Sequence, residues 1–156
     1  MDFLVLKMEF LIRLVIAVLL GGILGLEREL RRKEAGLRTY SLVCLGATLF
    51  TIVAIQSFKF FGIQGAFDPS RIVGQLVLGI GFLGAGLIIF KENRIEGLTT
   101  AAGLWVTTAI GTAIGFGLYT LAFLTTLLAI VIFIIFRWIE REVLKAKTGS
   151  SRSVSY

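Results

Sequence analysis

The sequence predicts an all-α membrane protein with five transmembrane helices, and three observations lead to this fold class. Hydrophobic residues make up 56% of the chain, the mean hydropathy is +0.91, and the basic residues collect at the ends of long apolar runs. The apolar share lies well above that of a soluble domain. The 156 residues are enough for one domain of ordinary size.

The first three spans follow from apolar runs that are long enough to cross a bilayer. A helix needs about 20 apolar residues to cross ~30 Å of hydrocarbon. Residues 10–26 form the first such run, broken only by Arg13, and residues 40–58 and 72–90 contain no charge. Arg13 within the first run also argues against a cleavable signal peptide. We therefore read these three runs as membrane helices.

The last apolar run supplies two spans rather than one. It extends without a charge from Leu98 to Phe136, which is too long for a single crossing. The segment "GFGLY", residues 115–119, offers a glycine turn near its middle. We predict spans at about 98–115 and 118–136. The membrane domain then covers 1–136 and is followed by a short basic cytoplasmic tail, 137–156.

The basic residues predict the orientation of the five spans. Cytoplasmic loops of membrane proteins carry an excess of Lys and Arg. Twelve of the sixteen basic residues lie in 27–39, 91–97 and the tail, which five spans place on one side of the membrane. This asymmetry places the N-terminus outside and the C-terminus in the cytoplasm. It also explains the +6 net charge better than nucleic acid does, so we expect no nucleic-acid partner.

The third span contains the spelling G-x-G-x-x-G at Gly79, Gly81 and Gly84. A dinucleotide-binding loop would need a strand before the motif and an acidic residue on a second strand, whereas these glycines lie inside an uncharged run. On a helix, the glycines of this span fall on two opposite faces. Small residues let neighbouring helices approach closely, so we predict that the third span is central. The predicted helix-packing glycines are Gly74, Gly79, Gly81, Gly84, Gly86, Gly103 and Gly111.

Hydroxyl side chains form stripes in the second and fourth spans. Ser41, Thr48 and Thr51 recur at helical spacing, as do Thr100 and Thr107. Such a stripe could line a path for an ion, or its hydroxyl groups could form hydrogen bonds between helices, worth ~0.6 kcal/mol per contact. We favour hydrogen bonds between helices, because hydroxyl groups alone select no solute.

Charged residues near the outer ends of the spans have structural as well as functional explanations. Arg13 has Glu9 four residues earlier as a helical partner. Asp68 suits a helix N-cap with Pro69 at the first helical position, and Gln75 lies one turn into the third span. Both explanations stay open for Arg13 and Asp68.

The first cytoplasmic loop, 25–39, mixes three glutamates with five basic residues. Such a run is usually a solvated loop that obeys the positive-inside rule. Here Glu27 and Arg28 adjoin the first span, and Arg38 and Thr39 begin the second. This position also suits buried ion pairs or a site at the membrane boundary.

The composition disfavours catalysis. The chain has no His, which removes the commonest general base and the commonest metal ligand. The single Cys44 argues against a multi-cysteine metal or redox site, and no base accompanies it or Ser41. We expect no enzymatic activity and no cofactor; an intramembrane enzyme is the least favoured hypothesis.

Three segments resemble the signature blocks of the MgtC/SapB family of bacterial inner-membrane proteins. They are "GGILGLERELRRKEAGLRTYSLVCLGATLF" (21–50), "DPSRIVGQLVLGIGFLGAGLII" (68–89) and "GLTTAAGLWVTTAIGTAIGFGLY" (97–119). The blocks occur in the order and spacing of the family and cover nearly all of 10–136. The resemblance implies a multi-pass protein of the bacterial cytoplasmic membrane. We expect the form without the C-terminal ACT-type domain of many members, because the sequence ends about 20 residues after the last span.

The resemblance implies a function known better by phenotype than by mechanism. It connects the chain with magnesium homeostasis, membrane potential or modulation of the F-type ATP synthase, and intracellular survival of pathogens. The expected partners are the lipid bilayer, a second copy of this chain in a homo-oligomer (most simply a dimer), and other membrane proteins such as the F-type ATP synthase. The candidate functional or ion-pair residues are Glu27, Arg28, Arg38, Thr39, Asp68, Arg71, Gln75, Thr99, Thr100 and Trp105.

Two function classes stay open. The leading hypothesis is a regulatory or accessory protein that contacts other membrane proteins through glycine-lined helix faces. The alternative is a transporter or channel for magnesium or a monovalent cation. In that case Asp68 and Arg71 lie at the outer mouth and Glu27 and Arg38 at the inner one. Five spans of modest length make a thin pore wall, so transport calls for a homo-oligomer.

Overall fold

The computed structural model of the protein describes residues 2–61, 68–91, 94–140 and 142–143. It contains five long helices, each apolar enough to cross a membrane. The protein is therefore mostly helical, with the predicted number of helices that are long enough to span a membrane, whereas the direction of crossing stays a prediction. The elements are α1 (Asp2–Leu30), α2 (Leu37–Phe61), α3 (Pro69–Leu87), β1 (Ile89–Lys91), β2 (Arg94–Glu96), α4 (Leu98–Gly115) and α5 (Tyr119–Val131). A π-helical stretch, Ile132–Phe136, continues α5, and most of the predicted tail, 144–156, lies outside the described residues.

Side-chain caps explain where two of the helices begin. The Asp68 carboxylate accepts the Ser70 backbone N–H at 2.9 Å, and Pro69 occupies the first helical position of α3. This is the N-cap that the sequence suggested. At the start of α2, the Glu29 carboxylate accepts the Leu37 backbone N–H at 3.1 Å. Both carboxylates satisfy N–H groups that have no partner inside the helix.

A β-hairpin, which the sequence analysis missed, joins α3 to α4. Phe90 of β1 pairs with Ile95 of β2 in antiparallel register, so α3 ends at Leu87 rather than at the predicted residue 90. Gly97 follows with a φ of 86°. A side chain at this position would collide with the Leu87 carbonyl. The connection from β2 to α4 therefore requires glycine at residue 97.

α4 is the central helix, and the prediction that the third span is central is wrong. α4 contacts all four other helices, and 61% of its span is buried compared with 11% for α3. The reason is composition. Gly, Ala and Thr supply twelve of the 18 residues of α4, so its whole circumference admits close neighbours. The glycines of α3 alternate with Leu, Ile and Phe.

Glycines set the spacing between the central helices. A Cβ built on Gly111 would lie 2.9 Å from the Ala47 Cβ, and one on Gly115 would lie 2.7 Å from the Thr51 Cγ2. These distances leave no room for a side chain, so α2 and α4 pack backbone to backbone and run parallel.

α3 is attached mainly through one face. Ile80 and Gly84 are its buried residues, and a Cβ on Gly84 would lie 3.7 Å from the Ala101 Cβ of α4. Its contact with α2 is sparse. Of the predicted packing glycines, Gly84, Gly103 and Gly111 lie at contacts between helices. The other four lie at no such contact, because a Cβ on any of them would meet no described atom within 4 Å; they are Gly74, Gly79, Gly81 and Gly86.

Candidate functional site

The predicted site residues divide between the two ends of the bundle. α3 is 19 residues long, which corresponds to ~28 Å, and the hairpin joins its last residue to the start of α4. Asp68 therefore lies at the end opposite Thr100. We call these the Arg13 end, where Asp68 and the end of α4 lie, and the Arg28 end, where Thr100 and the hairpin lie. The charged candidates do not converge on one cavity.

The Arg28 cluster consists of Glu27, Arg28, Arg31, Tyr40, Thr100 and Phe133. Arg28 is only 2% exposed. Its Nε donates to the Glu27 Oε2 at 2.5 Å, and its Nη2 pairs with the same oxygen. Its guanidinium carbon lies 3.8 Å from the centroid of the Phe133 ring. A buried cation is strongly unfavourable without partners, and here a carboxylate and an aromatic face supply them.

Glu27 joins Arg28 of its own helix and Arg31 of the turn that follows, rather than the start of α2. Its Oε1 lies 3.4 Å from the Arg31 Nε and accepts no hydrogen bond from the described residues. Arg38 and Thr39, the two candidates on α2, are exposed. Tyr40 is the residue of that turn that points inward, because helical periodicity turns its neighbours away. Among the described residues, Glu27 and Arg38 form no ion pair, so the structure does not bring together the two residues of the suggested inner mouth.

Tyr40 and Phe133 complete the cluster, and neither was predicted. The Tyr40 hydroxyl donates to the Thr100 carbonyl at 3.2 Å. A Cβ on Gly103 would collide with this hydroxyl and lie 2.9 Å from the Phe133 Cζ. Phe133 belongs to the π-helical stretch, whose extra residue per turn changes which side chains face inward. α-Helical periodicity in the sequence therefore gives no signal for Phe133, whereas Tyr40 precedes Cys44 by four residues, which places the two on one face of α2.

Thr100 ties the first loop to the start of α4. Its hydroxyl donates to the Glu34 Oε2 at 2.8 Å. The backbone N–H of Glu34 and the Thr100 hydroxyl together lower the pKa of the Glu34 carboxyl, and the N-terminus of α4 also favours a negative charge there. The neighbouring candidates Thr99 and Trp105 are exposed and lie outside the cluster.

At the opposite end, Arg13 caps the last turn of α4. Its Nη1 donates to the Gly115 carbonyl at 2.6 Å, and its Nη2 pairs with Glu9. Helix C-termini leave carbonyl groups without partners and favour positive charge. Of the two explanations left open for Arg13, the structure supplies the structural one.

A groove of about 970 Å³ opens between α2 and α3, and we call it the α2–α3 groove. Asp68, Arg71 and Gln75 line its Arg13 end, the remaining walls are almost wholly apolar, and Thr108 of α4 belongs to its lining. The Ser70 hydroxyl and backbone N–H lower the pKa of Asp68. Three predicted residues thus meet at the mouth of one groove.

The threonine hydroxyls bond mainly to carbonyl groups of their own helices. Thr48, Thr51, Thr107, Thr108, Thr112 and Thr126 each have the hydroxyl oxygen 2.8–3.0 Å from the carbonyl oxygen four residues earlier. Thr48 also lies 2.8 Å from the Gly111 carbonyl of α4. Of these six threonines, only Thr48 also bonds to another helix, so the favoured explanation of hydrogen bonds between helices applies to Thr48, and the other five bond within their own helix. Among the described residues, no group of three or more His, Cys, Asp or Glu side chains is placed to hold a metal ion.

Comparisons with known proteins match most of the chain. The model of the MgtC family matches residues 14–142. The chain is 43% identical over 134 residues to "Putative magnesium transporter YhiD" of Escherichia coli (strain K12), covering 82% of this chain and 60% of that protein. It is 37% identical over 140 residues to "Protein SapB" of Bacillus subtilis (strain 168), with coverage of 86% and 60%. It is 44% identical over 117 residues to "Protein MgtC" of Brucella abortus (strain 2308), with coverage of 74% and 46%.

The chain therefore spans about 60% of the length of the first two of these relatives and less of the third. No solved structure matches it.

Proposed function

The chain belongs to the MgtC family, and from that membership we propose that it is a regulatory or accessory protein of the bacterial cytoplasmic membrane. It acts by contact with other membrane proteins under magnesium limitation. The resemblance to the family makes the F-type ATP synthase the first partner to test.

The observation that carries this proposal is the outward face of α3. Gly74, Gly81 and Ala85 lie on one flank of α3, beside the α4-facing Gly84 and on the other side of the helix from Gly79, and all three are exposed. In lipid, helices associate through close packing at small residues rather than through the hydrophobic effect. This face suits a second membrane helix at short range.

Photocrosslinking in native membranes tests the proposal. A photoreactive residue at Leu78, an exposed position beside this face, is expected to form adducts with another membrane protein, including ATP synthase subunits. The matched control is Leu128, an exposed position on α5. Gly81→Leu is expected to abolish the adduct at Leu78. Adducts with lipid alone, or only with a second copy of the chain, overturn the proposal.

Cation transport is the second candidate, supported by the name of the E. coli relative and by the Asp68 carboxylate at the mouth of the α2–α3 groove. The test is Mg²⁺ uptake into proteoliposomes. Asp68→Asn removes the charge but keeps a good N-cap, so transport through this mouth is expected to fall while folding is retained. Uptake equal to that of empty liposomes removes this candidate.

A further inference from the structure

The α2–α3 groove has the shape and polarity of a site for an amphiphile. It exists because α3 packs on α4 while hardly touching α2. Gly46 and Gly79 lie in its walls, and a Cβ on either would meet no described atom within 4 Å. The space between the two helices is therefore open.

The polar groups of the groove are confined to one end. Asp68, Arg71 and Gln75 occupy the N-cap and first turns of α3, whereas the α3 lining beyond them is apolar as far as Leu83. The rise from Arg71 to Leu83 is ~18 Å. Half of a ~30 Å hydrocarbon core is ~15 Å. The polar end of the groove therefore lies at the depth of the lipid headgroups, and its apolar wall is about as long as one acyl chain of the same leaflet.

Arg71 supplies a specific contact for a phosphate group. No salt bridge of Arg71 is seen among the described residues; Asp68 interacts with it only through the field of its charge. A guanidinium binds phosphate through two parallel N–H donors, and the Gln75 amide one turn further adds donors on the same wall. A partner helix would span both leaflets, so it would not account for polar groups at one end alone.

We propose that the α2–α3 groove binds one phospholipid from the leaflet at the Arg13 end, with its phosphate at Arg71 and Gln75 and an acyl chain against Gly46 and Gly79. The volume of about 970 Å³ lies at the upper end of small-molecule sites, which combine apolar walls with a few convergent polar groups. The site is separate from the outward face of α3 and does not depend on the proposed function.

Two leucine variants of α3 form a matched test. Gly79→Leu fills the groove, and Gly81→Leu adds the same side chain on the opposite side of α3; neither position has a described atom within 4 Å of its Cβ. Native mass spectrometry from nanodiscs that contain phosphatidylethanolamine and phosphatidylglycerol is expected to show one retained phospholipid per chain. Gly81→Leu keeps it, and Gly79→Leu lowers its occupancy at least tenfold. Equal retention in both variants overturns the proposal, and thermal melting of both establishes that each folds.

A second measurement locates the lipid and identifies what Arg71 binds. A phosphatidylethanolamine with a diazirine in its acyl chain is expected to label the groove walls on α2 and α3, and Arg71→Gln to reduce labelling severalfold. Diacylglycerol with the same tail, which has no phosphate, is expected to be insensitive to Arg71→Gln. Excess inorganic phosphate is expected to leave the labelling unchanged, because the site binds a lipid. If phosphate competes with the labelling, the site binds free phosphate and the choice of a phospholipid is overturned. Labelling spread evenly over all lipid-facing helices, or protein–protein adducts in the groove, also overturns the proposal.

Discussion

The guanidinium of Arg28 lies 3.8 Å from the centroid of the Phe133 ring, and this contact joins the end of α1 to the π-helical stretch that follows α5. The first and last helices of the bundle are thus tied together at the Arg28 end. The absence of a side chain at Gly103 makes room for both the Phe133 ring and the Tyr40 hydroxyl.

Phe133→Leu is expected to destabilise the protein by about 2 kcal/mol, because a desolvated cation–π contact is worth roughly that much. The measurement is unfolding of the purified protein in detergent micelles, followed by helical circular dichroism. The control is Phe136→Leu, an exposed position in the same π-helical stretch, for which little change is expected. Equal effects of both substitutions would remove the energetic role of the contact.

Gly103→Ala and Gly111→Ala are each expected to cost about 1–3 kcal/mol, because added methyl groups overpack the contacts of α4. Gly103→Ala also displaces the Tyr40 hydroxyl from the Thr100 carbonyl. Gly81→Ala is the matched control, since its Cβ would meet no described atom within 4 Å. The same micelle unfolding measurement applies, and a neutral Gly103→Ala would contradict the packing described here.

Arg13→Met is expected to lower stability by about 1–2 kcal/mol, since the carbonyl at the end of α4 loses a charged donor. Arg13→Lys keeps the charge and is expected to recover part of this loss. Both variants are compared by thermal melting and by Mg²⁺ uptake into proteoliposomes. A loss of uptake with unchanged stability would give Arg13 a functional role instead.

The Glu34–Thr100 contact is expected to open in acid. The pKa of Glu34 is lowered by its own backbone N–H and by the Thr100 hydroxyl. The contact therefore stabilises the loop fully above the ordinary value of 4.5 and is lost as the pH falls through the lowered pKa. A spin label at Lys33, an exposed loop position, reports this as increased mobility in acid. Thr100→Val is expected to show the increased mobility at pH values where the native protein does not, and a pH-independent spectrum would contradict the mechanism.

The predicted orientation has a direct test with single cysteines at exposed positions. An impermeant maleimide is expected to label Lys59→Cys in intact cells, and Lys33→Cys only after permeabilisation. The native Cys44 is buried and does not interfere. The reverse pattern would place the N-terminus in the cytoplasm.

The sequence predicted the helices better than their arrangement. Long uncharged runs revealed five spans because crossing hydrocarbon requires them, and Asp68 followed by Pro69 located the start of α3 because N-caps need that chemistry. The hairpin 89–96 was missed because three-residue strands carry almost no periodic signal. Among the candidate residues, Glu27 pairs with Arg28, whereas Thr100 bonds to Glu34 and Tyr40. Asp68, Arg71 and Gln75 line one end of the α2–α3 groove. Arg38, Thr39, Thr99 and Trp105 are on exposed faces.

The sequence by itself determined five helices that are long and apolar enough to cross a membrane, because hydropathy and local capping depend on residues close together in the chain. Its signature blocks carried the resemblance to the MgtC family. Only the tertiary structure decided that α4 rather than α3 is central, that Phe133 covers Arg28, and that α2 and α3 enclose a groove. Glycines in the sequence indicate that another helix can pack closely against them. Which helix does so depends on side chains that come from distant parts of the chain.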